Sequence, residues 1–247
     1  TVNHWTAHAR GDAEHFLRAY NRGLESGDFM YAAHSMVHMI MARVIVGDNL
    51  DDIFTECRKY EGFLRHTGDP FVIRNFEDSF QMYLNHKGLT ESRHSLNSHG
   101  YDEEARIGEV RRGGNIIELF YHLLTRARVL YLAGHIGECL RFCEEMESIK
   151  RVPLGTLQTA EHCFYHSLAL AACGDALPLR ARLRRLKKNR KAMRRWAAGC
   201  PDNFLHKLHL VDAEIAPLSG DGLGAMRRYR SAAEAARAAG YVQNQAI

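Results

Sequence analysis

The chain has 247 residues, of which 46% are hydrophobic and 25% charged, a composition that excludes intrinsic disorder and a many-spanning membrane protein. Its length admits one extended repeat domain or two small globular ones, because single cores stop growing at about this size. The formal charge of +4 conceals an asymmetry: ten Lys or Arg and no acid stand between Arg180 and Arg195, which leaves the rest of the chain at −6.

Apolar residues recur at helical spacing almost throughout. Phe16, Tyr20 and Leu24 share one face of a first helix predicted over 12–26. The second, 29–46, contains the longest apolar stretch, Ala32 to Val46. That stretch carries His34, His38 and Arg43 and is shorter than the roughly 20 residues that span a bilayer, so it reads as a buried helix and not an anchor. Helices follow over 50–66 and 70–86, the latter opened by Asp69-Pro70, where a missing N–H costs nothing. The segment about 85–100, with glycine and serine breaks and His86, His94 and His99, is the one long loop and is expected to project from one face. Beyond it come helices over 102–112, 115–133, 136–149 and 155–173, a basic helix over about 176–198, and two more over 202–218 and 222–239. Pro201-Asp202 starts the first of these two, and Pro217 ends or kinks it. Sustained alternation of apolar and polar residues does not occur, so no sheet is expected.

The punctuation is the most informative pattern. Gly27-Asp28, Gly47-Asp48, Gly100-Tyr101-Asp102, Gly134-His135, Gly174-Asp175 and Gly220-Asp221 each close one apolar-periodic segment and open another. Glycine supplies the left-handed residue that ends a helix, and the Asp caps the next one. Gly100 and Gly134 are 34 residues apart, the tetratricopeptide period, while the later intervals of 40 and 46 are too long for a regular array. The expected fold is therefore all-α: a single domain over 1–247 forming a right-handed α-solenoid of degenerate tetratricopeptide-like helix pairs. Leu130-Tyr131-Leu132-Ala133-Gly134 before Gly137-Glu138-Cys139-Leu140 shows the pattern well, a large residue preceding the turn and a small one opening the second helix.

Most enzyme classes are removed by missing motifs: there is no phosphate loop, kinase Asp-Phe-Gly, Gly-x-Ser-x-Gly elbow or His-Glu-x-x-His zinc helix. Gly220-Asp221-Gly222-Leu223-Gly224 follows a helix rather than a strand and reads as an interhelical turn. His162 and His166 lie one helical turn apart and are the weak candidates for a metal. They are read chiefly as hydrogen-bonding core residues, since no carboxylate at a suitable offset completes a site, and no metal or cofactor is assigned. Cys139 and Cys143 share a face and read as packing thiols. Glu144, Glu145 and Glu147 read as a solvated acidic surface. Six scattered cysteines without a Cys-x-x-Cys pair favour a reducing, cytoplasmic setting. The start at Thr1, without Met or a secretion signal, reads as an excised piece of a longer protein.

In the basic helix, Leu179, Leu183, Leu186, Met193 and Ala197 are expected to face the stack. Arg182, Arg184, Arg185, Lys188 and Lys191 are then left on the solvent side as candidate partner-binding residues. Tyr165 and His166 are added to these candidates. The strip reads chiefly as a solvated face, and next as a contact for an acidic partner or another domain. Nucleic acid is disfavoured because, apart from Trp196, the aromatics that stack on bases are missing.

Several motifs carry a resemblance. These are Arg18-Ala19-Tyr20 with Gly23-Leu24-Glu25-Ser26-Gly27-Asp28, Lys87-Gly88-Leu89-Thr90, and Gly100-Tyr101-Asp102-Glu103-Glu104. Further on come Phe164-Tyr165-His166-Ser167-Leu168-Ala169-Leu170 and Cys200-Pro201-Asp202-Asn203-Phe204-Leu205-His206-Lys207. From about Glu14 to Val242 the chain resembles the helical region of large bacterial signalling proteins that join a serine/threonine kinase, an AAA-like ATPase, this region, a GAF domain and a sensor histidine kinase. It departs from their pattern at Pro217 and in its arginine density between Arg180 and Arg195. The resemblance implies a non-catalytic regulatory scaffold that binds protein domains or peptides, including the adjacent ATPase and kinase domains or a second copy. Two alternatives stay open: a sensor that binds a small ligand between helices near His162, Tyr165 and His166, and a domain that binds nucleic acid or acidic surfaces through the basic helix.

Overall fold

A computed structural model describes residues 3–151 and 155–247. The helices are α1 (Asp12–Ser26), α2 (Phe29–Val46), α3 (Leu50–His66), α4 (Pro70–His86), α5 (Glu103–Gly113), α6 (Ile116–Leu132), α7 (Ile136–Ile149), α8 (Leu157–Ala172), α9 (Leu179–Gly199), α10 (Pro201–Leu218), α11 (Gly222–Ala238) and the short α12 (Val242–Gln245). Among the described residues there is no strand, only an isolated bridge between Ser98 and Tyr101. The all-helical expectation holds, with boundaries displaced by at most a few residues.

The turn chemistry explains why the boundaries were readable. Gly27 and Gly220 adopt φ of 75° and 82°, the left-handed conformation that side chains disfavour. Asp28, Asp69, Asp102 and Asp221 each accept a hydrogen bond from a backbone N–H in the first turn of the following helix. Two turns differ from the expectation. At Gly47-Asp48 the cap is Asn49, and Asp48 instead binds the Arg43 Nε at 2.8 Å. After Gly174 the chain makes a 3-10 turn over Gly174–Ala176, and α9 starts only after Pro178. Pro217 sits in the last turn of α10, which ends one residue later.

The chain forms two compact units, Ala9–Val129 and Thr1–His8 with Leu130–Ile247. In the first, α1 packs on α2, α2 on α3 and α3 on α4, and α2 also meets α4. Gly23 lets α1 approach α2: a β-carbon there would lie 2.9 Å from both the nitrogen and the β-carbon of Ala32. Met36, Ile40, Ile53, Leu64, Val72 and Phe76 fill the centre. By length and composition α2 could cross a membrane, but Ala32, Ala33, Met36, Val37, Met39 and Ile40 are buried within this core.

The long loop does not project as expected. Leu96 is fully buried in the core. The Asn85 side-chain amide donates to Thr90 Oγ1 and to the Ser92, Arg93 and Ser95 carbonyls at 3.0–3.2 Å, fastening the loop to the end of α4. Below it, buried Asp78 accepts from the Tyr101 hydroxyl at 2.7 Å and from His122 Nδ1 at 2.8 Å.

In the second unit, α7 packs on α8, α8 on α9, α9 on α10 and α10 on α11, and α8 also meets α10. The segment Cys200–Lys207 is its hub. Asn203 Nδ2 donates to the His4 and Ala7 carbonyls at 2.7 and 2.8 Å, while its oxygen accepts from the Tyr241 hydroxyl at 2.8 Å. Phe204 stacks on Trp5. Lys207 pairs with Glu161, both almost fully buried, and its ammonium lies 5.2 Å from the centre of the Phe164 ring.

Candidate functional site

A cluster of buried polar groups lies on α8, which is enclosed over nearly its whole length. Polar side chains there must find protein partners. His162 Nε2 donates to the Cys143 carbonyl at 3.0 Å. Asn189 of α9 donates its amide to His166 Nδ1 at 3.3 Å and to Ser167 Oγ at 3.1 Å. That leaves His166 Nε2 as the proton-bearing nitrogen, and it donates to Glu144 Oε1 of α7 at 3.1 Å. The two imidazoles stack with centres 5.5 Å apart and planes at 19°, as the four-residue spacing on a helix requires.

Of the acids at the end of α7 expected to be solvated, Glu144 and Glu147 turn toward this cluster. Glu144 also pairs with Arg185, and its carboxyl is held below the usual range by His166 first and Arg185 second. Glu147 accepts from the Lys150 ammonium at 2.6 Å on both oxygens, and its Oε1 lies 4.0 Å from His162 Nε2 and 3.9 Å from His166 Nδ1. Burial works to raise its carboxyl, but Lys150 outweighs that and holds it low. Burial, reinforced by His166, brings the His162 pKa down to about 4. A readable signal existed: Glu147 falls four residues after buried Cys143, on the inward stripe of α7. Tyr165 is 2% exposed, its ring against Phe164 and Tyr131. Tyr165 and His166 are therefore interior residues rather than surface ones.

On α9 the structure separates the expected partner-binding residues. Arg182 does not face solvent: it is buried, and its guanidinium donates to the carbonyls of Leu170, Ala171 and Gly174, the Leu170 and Gly174 bonds being 2.9 Å. It closes the C-terminal end of α8, where carbonyls lack intrahelical partners and the helix dipole favours a cation. Arg185 is held by Glu144, and Lys188 lies 3.6 Å from Glu147. Arg190 pairs with Asp212 of α10.

Arg184 and Lys191 are exposed, and they belong to a longer set with Arg180, Lys187, Arg194 and Arg195, all exposed. At 3.6 residues per turn these six occupy a strip about 100° wide and about 22 Å long. No acid of the described residues pairs with any of them. Leu179 and Leu183, expected to face the stack, are exposed and half-buried; with Ala181 they form the apolar floor of an open groove edged by Arg180, Arg184 and Lys187. Trp196 is half-buried against Trp5 and Phe204.

No family model, curated protein or solved structure matches this chain. Its sites therefore rest on the geometry. All six cysteines are free thiols, five of them buried. Cys163, enclosed on α8, has its thiol pushed up to about 12 by burial, the state of a packing residue and not of a nucleophile.

Proposed function

We propose that the chain is a non-catalytic, tetratricopeptide-like interaction module that receives an acidic protein segment along α9. The observation that carries this reading is the strip Arg180, Arg184, Lys187, Lys191, Arg194 and Arg195, whose cations have no acidic partner among the described residues while their neighbours Arg182, Arg185, Lys188 and Arg190 are all engaged. The groove floored by Leu179, Ala181 and Leu183 suits a partner that is amphipathic as well as acidic. A bare phosphate backbone would not use that floor, and the one large aromatic of the helix, Trp196, is occupied by Trp5 and Phe204. The packing of α2 on α4 and of α8 on α10 supports stacked helix pairs within each unit. The resemblance of several motifs to those of bacterial signalling proteins favours a regulatory scaffold in the cytoplasm, next to ATPase and kinase domains.

The test is fluorescence anisotropy with a labelled helical peptide of Glu and Leu, and with a single-stranded oligonucleotide of equal charge. Binding to the peptide should weaken with salt, and about tenfold or more in the Arg184→Glu, Lys191→Glu double variant. Tighter binding to the oligonucleotide would transfer the surface to nucleic acid, and no binding to either would refute the reading.

A further inference from the structure

We propose that Glu147, His162 and His166 form a binding site for a divalent transition-metal ion of the zinc class, bridging α7 and α8. The two histidines project from one face of α8, and Glu147 reaches them from the neighbouring helix. Their candidate ligand atoms all lie within 4.8 Å of one another. Bonds of about 2.0–2.2 Å in tetrahedral geometry set neighbouring ligand atoms about 3.4 Å apart. The separations of 4.0 and 3.9 Å from Glu147 Oε1 to His162 Nε2 and His166 Nδ1 therefore need to close by about half an ångström, and no pair of ligand atoms by more than about 1.4 Å.

An independent feature points the same way. A metal-binding imidazole usually donates its other N–H to a carboxylate, which fixes the ring and its tautomer. His166 has that arrangement ready: Nε2 donates to Glu144, which is itself anchored by Arg185, so Nδ1 carries the lone pair, which now accepts from Asn189 and lies 3.9 Å from Glu147 Oε1. Two imidazoles and one carboxylate suit zinc, cobalt or nickel better than calcium or magnesium, which demand more oxygen ligands.

Among the described residues, protein groups now take the ion's place. Lys150 supplies the positive charge on both Glu147 oxygens, with Lys188 3.6 Å away. Asn189 donates to His166 Nδ1, and His162 Nε2 donates to the Cys143 carbonyl. Binding therefore exchanges a monocation for a dication: Lys150 leaves, the Asn189 amide turns aside, and His162 moves its proton to Nδ1 so that Nε2 coordinates. The fourth position falls to water. Lys150 is thus a competitor of the metal, a role that a purely structural hydrogen-bond cluster would not give it.

Cobalt(II) titration of the purified chain, read by the visible absorption of a tetrahedral site, and zinc competition against a chromophoric chelator test the assignment. The wild type should bind one ion saturably. Glu147→Gln and His162→Ala should each weaken binding about tenfold or more, and Lys150→Ala should strengthen it, with helicity by circular dichroism confirming that each variant is folded. Absence of saturable binding in the wild type, binding unchanged in Glu147→Gln and His162→Ala, or weaker binding in Lys150→Ala would each overturn the proposal.

Discussion

Mild acid should destabilise the second unit through histidines that it holds neutral. His206 is 2% exposed. Its Nε2 accepts from the Asn244 amide at 2.9 Å, and its ring lies 4.4 Å from that of Tyr241. A proton on Nε2 would set two donors face to face in a buried space. Burial first, then His8 and His209, bring its pKa down from 6.5 to about 3, and His162 is brought to about 4. Both folded values lie below the unfolded one. Their stabilisation is therefore complete above pH 6.5 and is lost as pH falls from there toward 4, because the unfolded chain takes up protons that the folded one refuses. At pH 5.5 each histidine costs about 1.4 kcal/mol, so the pair costs about 3 kcal/mol. In a unit of this size that lowers Tm by about 10 °C. Scanning calorimetry at pH 7.5, 6.5, 5.5 and 4.5, in a chelating buffer that keeps His162 metal-free, measures it. In His206→Leu the drop between pH 7.5 and 5.5 should shrink by about half, whatever the variant's starting stability. A Tm that stays level over that interval, or an undiminished slope in the variant, would refute the reasoning.

Other substitutions separate interior from surface charge. Arg182→Ala strips the end of α8 of three hydrogen bonds from a charged group and should cost about 3 kcal/mol by urea denaturation; Arg184→Ala, two residues further along and exposed, should change stability by less than about 0.5 kcal/mol. Lys207→Met leaves Glu161 charged and buried without its partner, and should cost about 3–5 kcal/mol. Adding Glu161→Leu to Lys207→Met should recover most of that loss, since an apolar pair of similar volume avoids the desolvation cost.

The helices were legible because their ends are written in local chemistry. A left-handed glycine followed by a capping Asp needs no knowledge of the rest of the chain, and Gly27-Asp28 and Gly220-Asp221 behave as that rule requires. The turn after Gly174 escaped it because Asp175 enters a 3-10 turn and Pro178 resets the start of α9. The inward position of Arg182 could have been found: Arg182, Leu186, Asn189 and Met193 recur at four, three and four residues, and all are buried. Two polar members of an apolar stripe mark groups with buried partners. Those partners, the last carbonyls of α8 and the His166 ring, depend on how α8 meets α9, which no local pattern contains. The same holds for Leu96, whose burial fixes the long loop against a core assembled from distant helices, and for Glu147, which reaches His162 and His166 only across the α7–α8 contact.

Whether the strip from Arg180 to Arg195 recognises an acidic partner by charge is tested by a charge exchange. The Glu and Leu peptide, and its counterpart with every Glu replaced by Lys, are titrated into the wild type and into the Arg184→Glu, Lys187→Glu, Lys191→Glu variant. The variant should lose the acidic peptide and gain the basic one, with the wild type showing the reverse preference. Equal affinities of both proteins for both peptides would contradict it.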